Sequence, residues 1–184
     1  NGLLRLPRDW RHFAVYRAGE GEGKLASTPV RGSALARDGR VWLAGSAGMV
    51  ELLDPANGRI EHALDLRREL PQARLWSVLE RRDGSLWLGH SQGLSRYLRG
   101  ARRWRHWRIG EGEDALLTGP VRQLAEDADG ALWLGSYGGG VQARDAQGRV
   151  LQSTVPWSGA VTAATVRGSS STSVSLASTS IETG

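Results

Sequence analysis

Apolar residues fall into short runs separated by polar, glycine-rich turns, and the runs recur in a fixed order. A mixed segment at residues 30–36 leads to Asp38-Gly39 and then to the compact apolar run Val41-Trp42-Leu43. The order returns at residues 75–80 with Asp83-Gly84 and Leu86-Trp87-Leu88, and at residues 121–126 with Asp129-Gly130 and Leu132-Trp133-Leu134. The three Trp residues are 45 and 46 residues apart. After each Trp run comes a glycine-rich stretch (45–48, 89–93, 135–140), a third extended segment (49–53, 94–98, 141–144), a polar turn, and a fourth segment (60–64, 104–108, 149–152). No segment shows a sustained helical period, so the pattern predicts strands throughout.

Asp-Gly between two apolar runs is a strong short hairpin signal, and the two-residue type I′ turn is its usual form. Asp38, Asp83 and Asp129 with Gly39, Gly84 and Gly130 are therefore expected to shape turns through side chain to backbone bonds, not to act as catalytic carboxylates. A run apolar on both faces suits a strand covered on both sides, so Trp42, Trp87 and Trp133 are expected in a core between sheets. Four antiparallel strands repeated at this period describe β-propeller blades.

The fold expected is all-β, an incomplete propeller of about three full repeats plus a partial blade. Its boundaries are residues 1–29 for the end of a preceding blade and a linker, then 30–74, 75–120 and 121–160 for the blades. The partial blade rests on Gly2-Leu3-Leu4-Arg5-Leu6 and Trp10-Arg11-His12-Phe13, which match Gly93-Leu94-Ser95-Arg96-Tyr97 and Trp104-Arg105-His106-Trp107. In residues 161–184 Ser169 and Ser170 fall where Asp-Gly is due, and the composition turns to Ser, Thr, Ala and Gly. Such a tail has too little apolar surface to offset its ordering entropy and is expected to be disordered.

Composition narrows the function more than the fold. The 184 residues carry a net charge of +5 with no cysteine, which excludes disulfides and thiolate chemistry. No run of 18 apolar residues exists, so no membrane segment is expected in this chain. The charge is Arg-rich and dispersed, which does not by itself make a nucleic-acid site. The densest basic-aromatic run, residues 102–108, could touch an anionic polymer. Strand alternation reads it instead as an outer strand with solvated arginines, and no nucleic-acid partner is expected.

The third copy, residues 121–141, resembles the two-component-regulator propeller repeat: apolar positions, Asp127-Ala128-Asp129-Gly130, Leu132-Trp133-Leu134-Gly135, then Gly139-Gly140-Val141. The other copies depart from it, with Arg82-Asp83 in the second and a single Gly48 in the first. WD-repeat and Asp-box propellers fit less well. The resemblance implies a non-enzymatic sensory fragment of a bacterial two-component-type signalling protein, periplasmic if part of such a parent, with any kinase or cyclase output outside this chain. Its partners would be a small-molecule or saccharide ligand, and the remaining blades of a parent or a second copy. Alternative readings are a propeller scaffold for protein partners and a propeller lyase or glycosidase fragment.

Within this frame Ser46, His90, Ser136 and Tyr137 are the expected ligand-facing residues. They lie in the connection after each Trp strand and vary between copies while their neighbours do not. The four histidines show no zinc-site spacing, no catalytic residues are expected, and neither a metal nor a cofactor is implied.

Overall fold

The computed structural model describes residues 15–21, 23–26, 29–110, 114–116 and 119–154. The expectations for residues 1–14, including His12, and for the tail at 161–184 lie outside the described residues. Among the described residues twelve strands form three four-stranded antiparallel sheets, in each of which chain order is spatial order. The first sheet holds β1 (Val30–Leu35), β2 (Val41–Gly45), β3 (Met49–Leu53) and β4 (Ile60–Asp65). The second holds β5 (Leu75–Glu80), β6 (Leu86–His90), β7 (Gly93–Leu98) and β8 (Arg103–Arg108). The third holds β9 (Val121–Glu126), β10 (Leu132–Ser136), β11 (Gly140–Arg144) and β12 (Val150–Thr154). The fold is an all-β, incomplete propeller. Among the described residues no helix is long and apolar enough to cross a membrane.

The Asp-Gly hairpins differ from the type I′ turn. Gly39, Gly84 and Gly130 have φ between 76° and 85°, but no Asp of the three has positive φ. The Gly39 N–H donates to Ala36 O at 3.0 Å and the Ala36 N–H to Arg40 O at 2.7 Å, and the other two hairpins repeat the pattern. This is the three-residue loop, a type I turn closed by a left-handed glycine, so only the glycine needs positive φ. Asp38 Oδ1 accepts the Arg40 N–H and Asp83 Oδ1 the Ser85 N–H. In the third copy Asp127, not Asp129, takes this part: its Oδ1 accepts the Ala131 N–H at 2.8 Å.

Contacts between sheets run through their first and second strands, β1 and β2 to β5, then β5 and β6 to β9. The sheets therefore converge at β1, β5 and β9. Trp42 packs with Leu86 and Leu88 of the next sheet in one buried cluster, and Trp87 with Val121, Leu132 and Leu134 in another. Trp133 is only half-buried, because among the described residues no fourth sheet covers it.

Polar bonds repeat along the same joints. Glu80 accepts from Trp42 Nε1 at 2.8 Å and from the Arg37 N–H at 3.2 Å. One joint on, Glu126 accepts from the Arg82 N–H at 3.2 Å and pairs with the buried Arg81 at 3.0 Å. The third Trp is satisfied within its own sheet, donating from Nε1 to Asp127 Oδ2 at 2.7 Å.

Candidate functional site

The first and second strands of every sheet share one irregularity. Val30 pairs with Gly45 and Gly32 with Ala44, leaving Arg31 as an extra residue. Leu75 and Ser77 pair with His90 and Gly89, leaving Trp76. Val121 and Gln123 pair with Ser136 and Gly135, leaving Arg122. A bulge re-aims the side chain of its extra residue. Because the bulges recur at the repeat period on the converging strands, the three side chains meet. Arg31 lies 4.3 Å and Arg122 3.8 Å from the Trp76 ring, measured from the guanidinium carbon to the ring centroid. β5 lies between β1 and β9, so the two cations approach the indole from opposite flanks. Arg122 also reaches the Tyr137 ring at 5.2 Å.

Close backbone approach makes this ladder possible. A Cβ on Gly32 would stand 2.8 Å from both Ser77 Cα and Trp76 O, so any side chain there would push β1 away from β5.

The ladder borders a cleft of about 730 Å³ lined by Ser46, Arg67, Arg74, Trp76, Ser91 and Pro120, among others. Its walls are the connections after β2 and β6 and those before β5 and β9. Such connections are tied by equivalent bonds: the Ser46 N–H donates to Pro29 O, that of Ser91 to Arg74 O, and that of Tyr137 to Pro120 O, at 2.9–3.1 Å. Gln72, which also lines the cleft, has φ of 63°, a left-handed conformation uncommon outside glycine. Arg67 is held by a two-point bond to Asp65 at 2.7 and 2.9 Å. That bond keeps the Asp65 carboxyl low, at a pKa of about 2. Among the described residues Arg31, Arg74 and Arg122 have no carboxylate partner. The Trp76 Nε1–H is shielded and also lacks a partner there.

The four expected ligand-facing residues separate. Ser46 lines the cleft. Tyr137 is 69% exposed beside Arg122. Ser136 ends β10 half-buried, paired across to Val121 and Gly140. His90 is 1% exposed, inside the second sheet. There it joins Ser95, fully buried, and His106 in a relay absent from the sequence reading. The Gln92 N–H donates to His90 Nδ1 at 3.2 Å. His90 Nε2 must then carry the proton donated to Ser95 Oγ (2.8 Å), and Ser95 in turn donates to His106 Nδ1 (2.7 Å). Burial first, then proximity to His106, depresses the His90 pKa to about 4. Buried Ser95 has no route to a substrate, so the relay fixes three strands in register and does not build a nucleophile.

Arg31, Trp76, Arg74, Arg122 and Ser91 were missed by sequence reasoning. Their signal was present: 31, 76 and 122 stand at the same repeat steps as the three Trp of the core, one place after each blade-opening apolar residue. The basic-aromatic run at 102–108 lies on β8, where Arg103, Arg105 and Arg108 are exposed. Trp107 is buried and stacked 5.1 Å from Trp87.

The family model for the two-component-regulator propeller matches residues 115–138, which carry the third Asp-Gly-x-apolar-Trp copy. Residues 115–138 thus carry the two-component-regulator propeller repeat. A search of curated proteins finds no match. Among solved structures, a virginiamycin B lyase from Staphylococcus aureus is similar with a TM-score of 0.50 and 17% identity, over 66% of this chain and 39% of that one. A streptogramin B lyase gives 0.53 and 18%, over 71% and 42%. The extracellular domain of a hybrid two component system from B. thetaiotaomicron gives 0.53 and 23%, over 68% and 16%. This repeat chain thus spans about two-fifths of the lyases' length, and at these identities the likeness shows the fold alone.

Proposed function

We propose that this chain is the sensory, non-enzymatic propeller portion of a bacterial two-component-type signalling protein, acting in the periplasm and binding a small ligand at the rim of its converging strands. The observation that carries the reading is the thrice-repeated bulge, which aims Arg31, Trp76 and Arg122 at one place beside a cleft of about 730 Å³. That volume lies in the range of small-molecule sites. Bulges are over-represented next to functional sites, and here the scaffold supplies rigidity while the connections supply Ser46, Ser91 and Arg74. The two-component-regulator repeat at 115–138 supports signalling, with output from other parts of a parent protein. Further blades, from the parent or a second copy, would cover the outward faces.

The test is ligand-dependent output from the parent reading frame in cells. Ser46→Trp, which fills the cleft, is expected to abolish the response while leaving protein abundance unchanged. A response indifferent to that substitution would count against the site.

A lyase reading finds a fold-level likeness in the two lyases but gains no residues from it. The internal His90–Ser95–His106 chain is enclosed, and the open cleft holds arginines, serines and an indole without a carboxylate or histidine among its lining residues.

A further inference from the structure

We infer that the ligand of this rim is a small polyanion, a molecule carrying two or more carboxylate, sulfate or phosphate groups. The inference rests on the ligand-site reading above and adds the chemistry of the occupant.

Three arginines stand around the cleft without carboxylates to neutralise them among the described residues: Arg74 in its lining, and Arg31 and Arg122 on either flank of Trp76. A guanidinium stacked on an indole uses its face in the contact and keeps its edge N–H donors for an acceptor. The stack therefore holds two donor edges at fixed positions, which lowers the ordering cost of meeting two separate anionic groups. Arg67 shows the contrast. It lines the same cleft, but Asp65 already occupies its guanidinium.

The stack also argues against the two other ligand classes. A neutral saccharide site commonly offers an open aromatic face for an apolar sugar surface, and single-stranded nucleic acid needs such a face for base stacking. Here two guanidiniums, those of Arg31 and Arg122, already lie over the Trp76 ring at 4.3 and 3.8 Å from its centroid and compete for that surface. What remains is cationic edges and the Ser91 hydroxyl, which accepts from the Arg74 N–H and can still donate, a set of donors suited to oxyanions.

The experiment is isothermal titration of the full chain with citrate, a tricarboxylate, and with maltotriose, a neutral saccharide. Inorganic sulfate serves as a single-ion comparison. Citrate is expected to bind, more tightly than sulfate, and to weaken as salt is raised. Arg122→Gln and Arg74→Gln should each weaken citrate about tenfold, with Arg122→Lys recovering part of the loss. Thermal unfolding of each variant confirms that the fold is kept. Absence of citrate binding, or citrate binding indifferent to both Gln variants, overturns the inference. If maltotriose binds and Ser46→Trp abolishes it, the cleft is a ligand site and the anionic assignment is wrong. If Ser46→Trp alters no binding, the site reading itself falls.

Discussion

His90 illustrates how a residue is claimed by its immediate neighbours. It ends a Trp strand at a position that varies between copies, Gly45 in the first and Ser136 in the third, which invites a ligand role. Strand parity instead turns it inward to Ser95 and His106. Its pKa falls from 6.5 to about 4, so the folded state binds its proton less well than the unfolded state. The stability contributed by neutral His90 is therefore complete above pH 6.5 and declines as pH falls toward 4, by about 3 kcal/mol in all. Urea titrations at pH 7 and pH 4.5 check this. His90→Gln, whose amide can still donate to Ser95, should flatten the difference. An unchanged pH dependence would show that His90 titrates normally. The relay was hidden in the sequence because its members are five and eleven residues apart, and only the β6–β7–β8 register brings them together.

At the scale of elements, the joint between sheets is a compact unit: a Trp from one sheet packs on leucines of the next, with a carboxylate from the next first strand beside it. Glu126 is the sharper case. Its partner Arg81 is only 3% exposed, and Arg81 Nη2 also donates to Gly130 O across the joint. Glu126→Ala would leave that guanidinium buried without its counter-charge, at a cost of about 3 kcal/mol or more, measured as a lowered urea midpoint. Glu126→Gln, which keeps an acceptor, should lose less. A neutral Ala substitution would mean that the joint is held by its apolar contacts alone. Much at this scale was legible in sequence. The strand order, the Trp core of the first two copies and the glycine of each hairpin all follow from alternation and turn chemistry. The turn type did not follow, since Asp-Gly serves both two- and three-residue loops and the flanking Ala36–Arg40 bond decides between them. Nor did Asp127's capture of the Trp133 N–H, which the extra Asp of the third copy allows. β12 also starts one residue later than expected and runs to Thr154.

For the whole molecule, stacking at a constant repeat step converts a residue's place in the repeat into a place in a row. Core Trp residues form one such row, and the bulged Arg31, Trp76 and Arg122 form another on the converging strands. The first row was evident because its residues are alike. The second was obscured because Trp alternates with Arg and the bulge interrupts strand alternation. The stack also leaves apolar surface outward: Leu35, where the next two sheets place Glu80 and Glu126, is 74% exposed, and Trp133 is half-covered. The proposed ligand site stands on the second row. It is tested most directly by the NMR shifts of the Arg31 and Arg122 side-chain δ protons in the labelled chain, compared with Trp76→Leu. Ring currents from Trp76 should move both sets upfield in the native chain, and both should return toward ordinary arginine positions in the variant while the remaining spectrum stays folded. Arginine shifts that are ordinary from the start, or a change at only one of the two, would contradict the stacked ladder.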